Sequence, residues 1–444
     1  MSKIVSAQAL IFAFLCLEAR AAETADLRPT VEVGSTVCVD ALLEVGGSLK
    51  AGNDGKQRLL PLTVAGKIRY TERFIATPPE LVSLRRYDLA EATIKVDGKT
   101  ERQLLRDDRQ IVAARQRDDQ AELFSPAGSL KREELELLDL PANSLLVNRL
   151  LPDRMVGVGD KWQHSDDLLA ALLGIDAVSQ SSVESRLAEL DGTTARIELS
   201  GHVEGAVGGV TTSMDIKGAY RFNRSESRIT TLSLVIDENR SVGHANPGAD
   251  VAARLTLSIT PCQKLAELED AALERAALEP DPAVEQLEYI SGDGQVAFLY
   301  DRRWHTMQQS SDTITLRLVD RGDLVAQCNF TQLPTSSQRP TLAKFQDDIR
   351  RSLDKSFRQF VHASERTATD GTRYFKVVVD GVVADLPIQW NYYHVAAPGG
   401  QQAACAFTFE EQLASRLGDL DRRLIESMHF ADAKLNAERP AERR

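Results

Sequence analysis

The stretch "VEVGSTVCVDALLEV", Val31 to Val45, decides how the chain is read. Val31, Val33, Val37, Val39, Ala41, Leu43 and Val45 hold the odd positions, and Cys38, Asp40 and Glu44 fall between them. Successive side chains of a strand point to opposite faces, so a period of two over this length specifies a long strand with one face buried. The pattern returns at Leu60, Leu62, Val64, Ile68 and Tyr70, after the turn residues of "AGNDGK". It returns again at Ala92, Ile94 and Val96, before "DGK". One dry face and one wet face mark antiparallel rather than parallel sheet.

A helical break follows. "LKREELELLDL" sets Leu130, Leu135 and Leu138 among charges, with Ser129 as the expected N-cap and Pro141 as the stop. "NSLLVNRLLP" supplies a second short apolar helix. Strands then resume with Ala195, Ile197 and Leu199, with Ile216, Tyr220 and Phe222, with Leu232, Leu234 and Ile236, and with Leu255, Leu257 and Ile259. Residues 22–262 therefore form an antiparallel β-rich domain, a curved sheet or half-barrel. Its two strand groups, about 22–128 and 152–262, are expected as half-sheets facing one another. The Ala-, Glu- and Leu-rich run "QKLAELEDAALERAALEPDP" predicts an acidic helical linker over 263–283, stopped by Pro280 and Pro282.

From 284 to 432 the pattern is mixed. Strands are expected at "QVAFLY", "TITLRLV" and "LVAQCNFTQL". A helix starts near Thr341, with Leu342, Phe345, Ile349 and Leu353 on one stripe. Three strands follow, then one final helix carrying Leu413, Leu417, Leu420, Leu424 and Met428, and a charged tail over 433–444. The last two strands form the hairpin "LPIQWNYYHVAAPGGQQAACAFTFE", 386–410. Ile388, Trp390, Tyr392 and His394 share one side of its first arm; Cys405, Phe407 and Phe409 share a face of the second. Aromatics favour pleated surfaces, so the hairpin is read as core under the two helices. The competing reading makes Trp390, Tyr392 and His394 a binding surface.

"FLYDRRW", the single long helix, the closing hairpin and "FEEQLASRLGDLDRRLIESMHF" resemble the PsbP/Mog-like α/β/α family over about 284–431. That resemblance implies an α/β/α sandwich used for binding and assembly, with no catalytic residues and no cofactor. The N-terminal part, with "LLPDRMVGVGDKW", resembles uncharacterised bacterial envelope β-rich proteins. The fold class expected for the whole chain is α+β.

A chain of 444 residues exceeds one ordinary core. Lys3, the apolar run "IVSAQALIFAFLCL" and "ARA" ending at Ala21 predict a signal peptide over 1–21. The run is too short for a membrane span, and no later segment could provide one. Phe14 and Leu15 ahead of Cys16 argue against lipidation. An exported protein, periplasmic or extracellular, is expected. A net charge of −12 argues against nucleic acid and anionic lipid surfaces as partners. Beyond Cys16 the cysteines are Cys38, Cys262, Cys328 and Cys405. Their distribution suggests the pairs Cys38–Cys262 and Cys328–Cys405, with four buried thiols as the alternative.

Catalytic motifs are missing: there is no GxSxG, HExxH or GxxxxGK[ST]. "GAVGGV" at Gly205 to Val210 is read as a turn or bulge. His164 beside Asp166 and Asp167 could bind a cation, but a cap on "DLLAALLG" by Ser165 or Asp166 is the simpler reading. The acidic doublets Asp107–Asp108, Asp118–Asp119 and Asp347–Asp348 are read as solvated surface, and no metal or cofactor is expected. The function expected is non-enzymatic binding or scaffolding of an unidentified protein partner in the envelope or outside the cell. The alternative is a carrier holding an apolar ligand in the curved sheet, in a cavity lined by Val37, Leu43, Val64 and Ile68. A third is an enzyme of unrecognised type.

Overall fold

The computed structural model describes residues 24–51, 58–77, 81–117, 120–243, 247–269, 285–320, 323–337 and 340–431. The expected signal peptide, the charged tail, Asp118–Asp119 and most of the expected linker helix lie outside them. Gln263–Glu269 lies inside, and holds one 3-10 turn, Ala266–Leu268, rather than an α-helix.

Alternating strands dominate, as the period of two requires, and the molecule is β-rich α+β. The two strand groups are not facing half-sheets. They belong to one antiparallel sheet of thirteen strands. Its path runs Gln120–Phe124, Ile111–Arg117, Val82–Val96, Arg58–Ala76, Thr36–Ala51, Gly248–Pro261, Arg228–Arg240, Val210–Asn223, Thr194–Val207, Glu184–Leu190 and Lys161–Gln163. Lys99–Leu104 and Ala177–Ser181 add to it off this path. The reason is a seam between the first long strand and the last. Thr36–Ala51 pairs with Gly248–Pro261 from Lys50↔Gly248 to Val37↔Pro261, so each group satisfies the open edge of the other. Gly208 and Gly209, both at positive φ, turn the chain between Val207 and Val210, as "GAVGGV" predicts.

One face of this sheet is covered. Val39, Ile68, Tyr220, Leu232 and Leu257 form a continuous core with Leu137, Leu145, Leu146 and Leu169 from the helices Arg132–Leu138, Ser144–Val147 and Asp166–Leu173. The first helix is not capped by Ser129. Leu130 is tied into a bridge with Leu287, so the helix starts only at Arg132, and the Lys131 N–H donates to the Glu134 carboxylate at 2.8 Å.

Beneath Ser144–Val147 lies a buried ion pair that the strand pattern does not announce. Glu72 and Arg85 are cross-strand partners, 0% and 1% exposed. Arg85 Nε donates to Glu72 Oε1 at 2.8 Å, and Nη2 donates to Asn143 Oδ1 at 2.6 Å and Ser144 Oγ at 3.0 Å. Ser144 Oγ in turn donates to Glu72 Oε2 at 2.7 Å. Burial works against the Arg85 charge, but the Glu72 carboxylate outweighs it and holds the guanidinium above its ordinary range.

The C-terminal part builds a seven-stranded sheet ordered Trp304–Gln309, Thr313–Asp320, Asp323–Leu333, Gln402–Glu410, Leu386–Ala396, Arg373–Val383 and Phe357–Thr367. Four strands of this sheet, not three, follow the helix Leu342–Leu353. The extra one, Phe357–Thr367, is an edge strand whose mostly exposed side chains show no clear alternation. The final helix is also divided, into Ala414–Leu417 and Leu420–Ser427, because Gly418 turns the chain at φ +60°. The hairpin is core on both sides rather than on one. Trp390, Val377 and Val379 pack with Ile349, while Tyr393, Phe407 and Phe409 join the core that holds Leu417, Leu420 and Leu424.

The two parts touch directly. Glu288 N–H donates to Leu130 O at 2.8 Å, Arg106 meets Glu288 at 2.9 Å, and Arg132 donates to the Trp304 carbonyl at 2.6 Å. Arg85→Ala should destabilise the protein by about 3–5 kcal/mol, because it strands the Glu72 charge in the core. The double substitution Glu72→Leu/Arg85→Met should cost less than Arg85→Ala alone. Urea unfolding of the three proteins checks this, and a single variant within about 1 kcal/mol of wild type would remove the pair from the account.

Candidate functional site

The uncovered face of the thirteen-stranded sheet carries a groove of about 620 Å³. Register lays out its walls. One cross-strand row runs Arg196, Arg221, Thr231, Ser258, Asp40, Arg69. The neighbouring row runs Ala219, Ser233, Thr256, Leu42, Lys67. Two rows wide and up to six strands long, the groove runs across the strands. At about 4.8 Å per strand it spans roughly 24 Å.

Its chemistry follows from which residues fall on the wet face. Four small hydroxyl side chains, Thr231, Ser233, Thr256 and Ser258, make the middle, and Leu42 stands 50% exposed beside them. Basic residues stand at both ends. Arg69 Nε donates to Asp40 Oδ1 at 2.6 Å, and Arg196 meets Glu189 and Glu198 at 3.2 and 3.1 Å. Lys67 and Arg221 are exposed and make no ion pair among the described residues. No histidine or cysteine lines the groove. It offers hydrogen bonds and positive charge.

The residues singled out from sequence lie elsewhere. Trp390 and His394 are buried and Tyr392 is half-buried, facing Leu342–Leu353. His394 Nε2 shares a hydrogen bond with Gln402 Oε1 at 3.0 Å, and its ring stacks on Phe375. These three side chains are packing, not an open surface. Ser165 caps Asp166–Leu173, its hydroxyl accepting from Leu168 N–H at 3.3 Å, and Asp166 does not. His164 turns inward to Ser185 Oγ at 2.8 Å, and Tyr220 OH donates to the same oxygen at 2.9 Å. Burial pushes His164 down to about 4, keeping it neutral. Ser185 is fully buried, so this Ser–His contact is closed to a substrate. An exposed cluster, His202 between Glu204 at 2.7 Å and Asp215 at 2.9 Å, raises that histidine above its ordinary range through the two carboxylates. No group of three or more metal-ligating side chains forms a site among the described residues.

Sequence reasoning passed over Lys67, Arg69, Arg196 and Arg221 because each looks like ordinary strand surface. The one signal was the run of small hydroxyls on the wet sides of Arg228–Arg240 and Gly248–Pro261, and only register shows that they adjoin.

The cysteines meet as pairs, all four as thiols. Cys328 lies opposite Phe407 and Cys405 opposite Phe330, which makes them diagonal neighbours on adjacent strands. Cys38 lies opposite Thr260, two residues before Cys262, whose N–H reaches Thr36 O at 3.5 Å. Burial, with the Cys38 thiol beside it, pushes Cys262 up to about 12. Each thiol has its partner beside it, Cys38 beside Cys262 and Cys405 beside Cys328. Peptide mapping without reductant, on protein made in an oxidising compartment, should return Cys38–Cys262 and Cys328–Cys405. Four alkylatable thiols or crossed pairs would refute that.

No protein-family model matches the sequence, and no curated protein does. Among solved structures, the chain is similar to cyanobacterial PsbP from Synechocystis sp. PCC 6803, at 14% identity and TM-score 0.28 over 33% of this chain and 93% of that one. It is also similar to lipovitellin, at 6% identity and TM-score 0.31 over 53% of this chain and 26% of that one. A third similarity is to OmpF of Salmonella typhi, at 7% identity and TM-score 0.15 over 86% and 99% of the two chains. Likeness this slight assigns no function. No helix among the described residues is long and apolar enough to cross a membrane.

Proposed function

We propose that this chain is an exported, non-enzymatic binding protein of the cell envelope or extracellular space, which holds a protein partner on the open face of its large sheet. The groove carries this reading. It is built of rigid paired strands, it presents neutral hydroxyls between basic ends, and its one lining carboxylate, Asp40 opposite Ser258, is held by Arg69 at 2.6 Å. The signal-like segment at the N-terminus supports export. Packing of helices on both faces of the C-terminal sheet supports an assembly module of the PsbP/Mog-like kind.

A second reading, the apolar carrier, draws on a different observation. Val37 and Ile68 are sealed under the helices, and the void beside Ile68 measures only about 20 Å³. Farther along the same face, Val45, Val64 and Ile94 form a half-buried apolar row, with Ala253 opposite Val45. An apolar ligand would lie there.

A photo-crosslinking residue placed at Ser233, in the groove, should give one discrete protein adduct in intact envelope preparations. The same residue at Val158, exposed and outside the groove, should not. Adducts at neither position, together with a fluorescent fatty-acid probe displaced by Val64→Trp, would favour the carrier.

A further inference from the structure

We propose that the groove takes an extended acidic peptide segment lying across the strands, with one carboxylate at Lys67 and another at Arg221. The inference rests on the binding reading above and names the chemistry of its ligand.

Shape comes first. The groove is two rows wide and up to six strands long, so it fits a single extended chain and not a rounded headgroup. Charge comes second. The chain as a whole carries −12, yet Lys67 and Arg221 face this groove without an ion-pair partner among the described residues. Arg69 stands apart from them because Asp40 already holds it at 2.6 Å.

Spacing comes third. Lys67 lies in Arg58–Ala76 and Arg221 in Val210–Asn223, four strand intervals apart, or about 19 Å. An extended peptide rises about 3.3 Å per residue, so carboxylates six residues apart span the same length. Even spacing also points both side chains to the same side. Between the two cations lie Thr231, Ser233, Thr256 and Ser258, whose hydroxyls both donate and accept, as a peptide backbone requires.

The same layout disfavours a regular polyanion. A nucleic acid or acidic glycan carries charge all along its length, but the middle of the groove holds no free cation and its floor includes Asp40. Two separated carboxylates match two separated cations.

The test uses the full chain and an acetylated, amidated seven-residue peptide with Glu at its first and seventh positions and Ser, Thr or Gly between. Titration calorimetry should show saturable binding. Changing both Glu to Gln should weaken it by about three- to tenfold, as should Lys67→Ala/Arg221→Ala in the protein. Moving the second Glu to the third position should weaken it comparably. Both protein substitutions are on exposed side chains, and an unchanged melting temperature confirms the fold. No saturable binding below about 1 mM overturns the proposal, as does equal affinity for the Glu and Gln peptides. Tighter binding of a uronate oligosaccharide, lost in the same double variant, also overturns it. If the Ser233 crosslink still forms while the peptide fails, the groove binds a protein of another chemistry, and only the ligand class is lost.

Discussion

The buried pair of Glu72 and Arg85 is the joint on which the N-terminal sheet depends. Two opposite charges with almost no exposure are tolerated only when hydrogen bonds satisfy what the pair leaves over. Here the remaining partners come from the helical cover: Asn143 and Ser144 bond the guanidinium, and Ser144 bonds the carboxylate. Ser83 adds a donor to Glu72 from the sheet at 2.7 Å. The cover is therefore fixed in position by directional bonds as well as by apolar contact. An apolar contact alone would let Ser144–Val147 slide over the strands.

Fixing the cover on one face leaves the other free. A sheet this wide must bury one side or associate, and the three short helices meet that demand from within the chain. Charged and hydroxyl side chains then occupy the opposite face without cost to the core. Contacts through Arg106, Arg132 and Leu130 draw the C-terminal part against the same helical side, so it does not cover the groove residues. One side of the molecule holds it together, and the other is available to a partner.

Much of this was legible from the spacing of apolar residues. Thr36–Ala51 and the strands after it alternate as their burial alternates, although the strand starts five residues later than the pattern from Val31 predicts and Val33, in the turn ahead of it, is 63% exposed. Thr341 does cap the helix with Leu342 and Ile349, accepting from Lys344 N–H at 3.2 Å. What stayed hidden was whatever depends on pairing between distant segments. Alternation does not tell which strand meets which, so the seam of Thr36–Ala51 with Gly248–Pro261 was missed and two half-sheets were expected. The same gap hid the groove, whose members lie on five or more strands. Nothing in the local pattern singles out Glu72 and Arg85, which only the cross-strand register puts together under Ser144. The hairpin around Trp390 was legible as core from its aromatic alternation, but not that both of its faces are packed, one of them against Leu342–Leu353.

The claim that the open sheet face is where this protein meets its partner can be tested at Leu42. This side chain is 50% exposed in the groove, and Leu59 and Leu104, exposed on the same face outside it, are internal controls. Hydroxyl-radical footprinting should be compared between the purified protein and the protein in a native preparation from the cells that make it. The account predicts that Leu42 loses labelling in the native preparation while Leu59 and Leu104 keep theirs. Undiminished labelling of Leu42, with protection appearing instead at Val45 and Val64 on the helix-bearing face, would contradict it.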